Sequence, residues 1–142
     1  VEHAFDAVQY RVYPETPLTE VVDLMVRRGA RAIPVVGEQY EVLGIITTGD
    51  ALKRVLREGP GEDDEGRGER GVQTARDVMT RAVLCVSETQ PLLDAARMMM
   101  NRDVEQLPVV RDGELIGLIT RDAVLGALHG NRDDQDEREQ DR

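Results

Sequence analysis

The side chains best suited to chemistry are few and scattered. His3 and His129 are the only histidines, near opposite ends of the chain, and Cys85 is the only cysteine. Nucleophilic catalysis needs a base within hydrogen-bond reach of its nucleophile. The sequence offers no glycine-rich phosphate loop, paired-cysteine motif or serine elbow to build such a pair. Cys85, in the run Ala82-Val83-Leu84-Cys85-Val86, reads as a buried structural thiol, and the two histidines as surface residues. The expectation is a protein without catalytic residues, not an enzyme. Acidic side chains cluster at residues 57–71 and 130–142, yet they lack the alternating ligand spacing and turn glycine of a calcium loop, so no metal site is assigned. Met99 and Met100 sit at helical spacing, where thioethers serve as flexible core filler.

The two acidic clusters also decide how the net charge of −10 is read. Each contributes −3, which leaves −4 on the other 114 residues. Mildly acidic and without a basic stripe, this body excludes nucleic acid as a partner. Hydrophobic residues make up 40% of the chain, but aromatics only 3% with no tryptophan, so the core must be aliphatic. No run approaches the roughly 18 apolar residues of a membrane span, and no signal segment opens the chain. These features predict a soluble, cytoplasmic protein, or one at the cytoplasmic face of a membrane protein, without direct membrane insertion. A chain that begins at Val1 reads as a fragment of a longer polypeptide.

The elements that position everything else are duplicated. Residues 8–56 and 82–128 superimpose at an offset of 74, falling to 73 after one extra residue in the first copy. Pro17-Leu18 recurs as Pro91-Leu92, and Pro34-Val35-Val36 as Pro108-Val109-Val110. Further along, Gly44 recurs as Gly117 and Ile46-Thr47 as Ile119-Thr120. The stripe Leu18, Val21, Val22, Met25, Val26 forms one helix face, and so does Leu92, Ala95, Ala96, Met99, Met100. Thr16 is the expected N-cap of the first helix, with Pro17 at its first position and Gly29 beyond its last turn.

After each helix come two apolar runs read as a β-hairpin, Ala32–Val36 with Val42–Thr47 and Leu107–Val110 with Glu114–Thr120. Asp112-Gly113 is the stronger turn signal. A second helix follows each hairpin, carrying Leu52, Val55 and Leu56 in one copy and Leu125 and Leu128 in the other. Each copy is therefore expected to be strand, helix, strand, strand, helix, an α/β (α+β) unit. The predicted organisation is repeat 1 at 1–57, an acidic Gly-rich linker at 58–74, repeat 2 at 75–129 and a disordered acidic tail at 130–142.

Ala75-Arg76-Asp77-Val78-Met79-Thr80, followed by a strand, a Pro-Leu helix, Leu107-Pro108-Val109-Val110 and Gly117-Leu118-Ile119-Thr120, resembles a CBS domain. The first copy matches it through Ile33-Pro34-Val35-Val36 and Gly44-Ile45-Ile46-Thr47-Thr48-Gly49-Asp50. The resemblance covers residues 2–129 apart from the linker. It implies two βαββα repeats packed sheet to sheet with pseudo-twofold symmetry, a Bateman module. Modules of this kind hold adenosine nucleotides or other adenosyl compounds between the repeats and associate as homodimers.

In that family a Gly, a Ser or Thr three residues later, and an Asp or Asn three beyond recognise ribose, and Gly44, Thr47 and Asp50 match all three. A carboxylate can accept hydrogen bonds from two vicinal hydroxyls, and its charge strengthens them. The same position would equally suit an N-cap. The second copy departs from the pattern, with Ala123 where Asp50 stands, so one competent site is expected. The resemblance places Thr16, Arg31, Ile33, Pro34, Val35, Gly44, Thr47, Asp50, Thr120 and Arg121 at the nucleotide. Arg31 and Arg121 would meet phosphate, and the Ile33-Pro34-Val35 strand would meet adenine. The implied function is a regulatory sensor of AMP, ADP or ATP that needs no cofactor and acts on an effector domain outside this chain. The alternative is a ligand-free dimerisation or docking scaffold.

Overall fold

The computed structural model describes residues 4–58, 73–81 and 84–140, so most of the acidic linker lies outside the described residues. In chain order the elements are β1 (Asp6–Ala7), α1 (Leu18–Arg28), β2 (Ala32–Val36), β3 (Val42–Thr47), α2 (Thr48–Glu58) and α3 (Ala75–Val78). They continue with β4 (Thr80–Arg81), β5 (Val86–Ser87), α4 (Leu92–Arg102), β6 (Gln106–Arg111), β7 (Glu114–Thr120) and α5 (Arg121–Gln140). The chain divides into two compact units. Gln9–Val83 with Gly113–Leu115 forms the repeat-1 unit; Val1–Val8, Leu84–Asp112 and Ile116–Arg142 form the repeat-2 unit.

Each unit is completed by a short strand from the leading segment of the other repeat. In the repeat-1 unit the sheet order is β2-β3-β4, with β2 antiparallel to β3 and β3 antiparallel to β4. Val12 adds a parallel bridge to Val35. Its N–H donates to the Pro34 carbonyl at 3.0 Å and its carbonyl accepts the Val36 N–H at 2.9 Å, a pairing that asks no N–H of the proline. The repeat-2 unit repeats this order as β5-β6-β7-β1, with β5 parallel to β6 and β1 antiparallel to β7.

The helical stripes bury at their centres, but their last positions, Val26 and Met100, are exposed, so Met100 is not the core filler its spacing predicts. Val21 and Met25 of α1 pack with Val12, Ile33, Val35, Ile46, Ala51 and Ala75. In the other unit Ala95 and Met99 of α4 pack with Val86, Leu107, Val109, Ile119 and Val124. Each fully buried aliphatic side chain of this size contributes about 1.5–3 kcal/mol relative to exposure. The second-helix positions behave differently: Leu52, Val55, Leu56 and Leu125 are exposed.

Helix α1 starts later than its cap signal suggested. Pro17 is the N-cap, with no side-chain cap bond, and the helix begins at Leu18. Thr16 does not cap it; its Oγ1 accepts the Tyr13 N–H at 3.0 Å and tightens the preceding turn. The Leu18 N–H is satisfied by the Gln73 carbonyl at 2.9 Å, a partner distant in sequence. Gln90 does in the second copy what Thr16 does in the first, its Oε1 accepting the Ser87 N–H at 2.7 Å. Gly29 takes the left-handed C-cap conformation (φ 70°) that a residue without Cβ adopts freely. Asp112 and Gly113 both have positive φ, as their tight turn demands. Cys85 is half-buried rather than fully buried, and that burial raises its thiol pKa. No helix among the described residues is long and apolar enough to cross a membrane.

Candidate functional site

Strand β3 ends and α2 begins at the Gly44-to-Asp50 run, and three separate devices fix its geometry. Gly44 pairs with Arg81 of β4. A Cβ on Gly44 would lie 2.7 Å from Met79 Sδ and 2.8 Å from the Thr80 carbonyl, so only glycine admits this approach. Thr47 caps α2, its Oγ1 accepting the Asp50 N–H at 3.1 Å. Asp50 answers from the third helical position, where Oδ2 accepts the Thr47 N–H at 3.0 Å. This is a reciprocal capping box, so the cap is Thr47 and Asp50 its partner.

Thr80 closes the arrangement from β4, its Oγ1 standing 3.4 Å from Asp50 Oδ2. Both bonds fall on one carboxylate oxygen, Oδ2. Sequence reasoning did not single out Thr80. Its signal was the threonine ending Val78-Met79-Thr80, and what hid it is that Asp50 lies 30 residues earlier.

The neighbouring wall is supplied by β2. Ile33, Pro34 and Val35 are buried, with Ile33 opposite Ile46 and Val35 opposite Gly44. Arg31 precedes this strand with an exposed side chain, and its carbonyl accepts the Thr48 N–H at 3.0 Å. The repeat-1 unit therefore contains Arg31, Ile33, Pro34, Val35, Gly44, Thr47 and Asp50, and also Thr16, whose hydroxyl serves the turn at Tyr13.

Thr120 and Arg121 belong to the repeat-2 unit. Thr120 Oγ1 accepts the Ala123 N–H at 3.1 Å, the bond Thr47 makes in the other copy, but Ala123 returns none. Arg121 donates through Nε to the Val104 carbonyl at 2.9 Å and through Nη2 to Asp103 Oδ1 at 3.1 Å. A guanidinium has five donors, so this anchoring leaves others uncommitted. No group of histidine, cysteine and acidic residues suited to a metal ion occurs among the described residues.

Comparison with known proteins matches the family model for the CBS domain at residues 10–57 and 75–130. CBSX1, a chloroplastic CBS domain-containing protein of Arabidopsis thaliana, is 30% identical over 135 residues, covering 82% of this chain and 57% of that protein. An uncharacterized Methanopyrus kandleri protein, MK0525, is 30% identical over 113 residues, covering 79% of this chain and 54% of its own length. The chain thus spans little more than half of these two relatives. Among solved structures, CBSX2 in complex with AMP superposes with a TM-score of 0.77 at 27% identity, covering 93% of this chain and 97% of that one. The CBS domain pair of protein MJ0100, in complex with 5′-methylthioadenosine and S-adenosyl-L-methionine, gives 0.73 at 21% identity, with coverage of 92% and 96%. At that identity the likeness is one of fold.

Proposed function

We propose, from the premise that this chain belongs to the CBS-domain family as a tandem pair, that it is a regulatory module sensing one adenosine nucleotide through its repeat-1 unit. The observation that carries the reading is the Asp50 carboxylate, held through Oδ2 by Thr47 and Thr80 with Oδ1 open to accept. A charged acceptor already oriented forms strong bonds to ribose hydroxyls at little ordering cost.

In this reading Gly44 keeps the backbone close, and the buried Ile33-Pro34-Val35 strand lies against the base. Arg31 meets phosphate with an exposed side chain. Thr120 and Arg121, the remaining members of the proposed set, belong to the repeat-2 unit. The AMP held by CBSX2, at 27% identity, supports an adenosyl ligand. Ligand binding would bias the orientation of the repeats or of a homodimer, and so act on an effector outside this chain.

A second reading, a ligand-free dimerisation or docking scaffold, is favoured by the exposed α2 stripe of Leu52, Val55 and Leu56. Thermal-shift measurement with AMP, ADP, ATP, NAD and S-adenosylmethionine separates the two. A ligand at a hundred times its Kd should stabilise the fold by about 2.7 kcal/mol. No shift with any of the five would leave the scaffold reading.

A further inference from the structure

The two units present the same backbone frame with opposite electrostatics. Thr48 donates its N–H to the Arg31 carbonyl at 3.0 Å, and Arg121 donates its N–H to the Glu105 carbonyl at 3.1 Å, so Glu105 occupies the place of Arg31. Thr80 stands opposite Ile45 on β3, and Asp6 opposite Leu118 on β7. Each follows an apolar residue that closes over the sheet glycine, Met79 over Gly44 and Phe5 over Gly117. Asp6 therefore occupies the place of Thr80. Thr47 receives the Asp50 N–H and Thr120 the Ala123 N–H, which aligns Ala123 with Asp50.

Three positions that read Arg31, Thr80 and Asp50 in one unit, with no net charge, read Glu105, Asp6 and Ala123 in the other, with a net charge of −2. Glu105 and Asp6 are both exposed, where their charge acts on an approaching ligand. The cation in this frame, Arg121, is partly offset by Asp103 Oδ1 at 3.1 Å.

We propose that the repeat-2 unit is built to reject nucleotides rather than merely lacking a ribose acceptor. Glu105 and Asp6 are its specificity-determining residues. Specificity can be set by placing like charges where an unwanted ligand would sit, and a phosphate brought to this frame meets two carboxylates where the other unit offers a guanidinium and a hydroxyl. The inference rests on the adenosine-nucleotide reading of the repeat-1 unit. It adds that restoring Asp at position 123 is not enough to make a second site.

Calorimetric titration with AMP in an Asp50→Ala background reads the repeat-2 unit alone. D50A and D50A/A123D are each expected to take up no AMP, and D50A/A123D/E105R/D6T one AMP per chain. Binding by D50A/A123D overturns the inference. So does the absence of binding in the fourfold variant when its unfolding midpoint matches that of D50A. The reverse exchange needs no gain of function: R31E/T80D, with Asp50 retained, should weaken AMP binding at least tenfold, and unchanged affinity would refute it. Wild-type protein that takes no AMP defeats the nucleotide reading of the repeat-1 unit, while a gain of AMP binding in the fourfold variant still upholds this inference.

Discussion

Thr47 and Asp50 hold each other across the β3–α2 junction, the Asp50 N–H donating to Thr47 Oγ1 at 3.1 Å and the Thr47 N–H to Asp50 Oδ2 at 3.0 Å. Such a pair satisfies two orphan donors at a helix start and fixes the carboxylate before any ligand arrives. In the proposed site, fold stability and ligand readiness therefore share the same two residues.

That sharing makes Thr47→Ala a double lesion. Loss of the cap should cost about 1 kcal/mol and remove one hydroxyl of the proposed nucleotide set, lowering both the thermal midpoint and AMP affinity, while the Thr47 backbone N–H still holds Asp50 Oδ2. Thr47→Ser keeps the hydroxyl and should restore both. Calorimetric melting paired with AMP titration distinguishes this from a purely local effect on the helix.

Two glycine substitutions should move stability in opposite directions. Gly44→Ala puts a Cβ 2.7 Å from Met79 Sδ and 2.8 Å from the Thr80 carbonyl, and the second is backbone that cannot swing away. Overpacking of this kind costs about 1–3 kcal/mol. Gly126, within α5, has nothing within 4 Å of its added Cβ. Gly126→Ala should stabilise by roughly 0.5–1 kcal/mol. Urea denaturation curves measure both.

Burial of Cys85 raises its thiol pKa, so little of the reactive thiolate forms near neutrality. Alkylation by iodoacetamide at pH 8 should be slower in the folded protein than in urea. Equal rates in the two states would show the thiol to be fully accessible.

Glu88 titrates below its ordinary value of 4.5, chiefly because the Arg111 side chain donates to its carboxylate, an effect opposed by desolvation and aided by the Arg111 charge. Arg111 reaches both oxygens, Nη2 lying 2.6 Å from Oε2. A depressed folded pKa supplies stability above the unfolded value and loses it as pH falls through the folded value. The contribution is thus present above the ordinary value of 4.5 and is lost as pH falls through the lower folded value. Arg111→Ala should return the Glu88 carboxyl titration, followed by NMR, toward its ordinary value and flatten this part of the acid-side stability profile.

Local physics made much of the fold legible. The helical stripes through Val21 and Met25 and through Ala95 and Met99 are buried. The Gly29 C-cap and the Asp112-Gly113 turn have the positive φ their chemistry implies. What escaped was set by distant chain. The two-residue strands β1 and β4 have no readable periodicity and exist because Asp6 meets Leu118 and Thr80 meets Ile45. Helix α1 begins at Leu18 because Gln73 satisfies its first N–H, leaving the Thr16 hydroxyl to the turn. Likewise Asp50 and its local partner Thr47 were readable, whereas Thr80 arrives from the leader of the second repeat. The exposed Leu52, Val55 and Leu56 share the spacing of buried stripes, and spacing alone cannot say which apolar face a domain covers.

Isothermal titration of the wild-type chain and of Asp50→Ala with AMP tests the sensing role most directly. One AMP per wild-type chain and no measurable uptake by the variant is the predicted result. Two equivalent sites per wild-type chain, or undiminished affinity in Asp50→Ala, would contradict it.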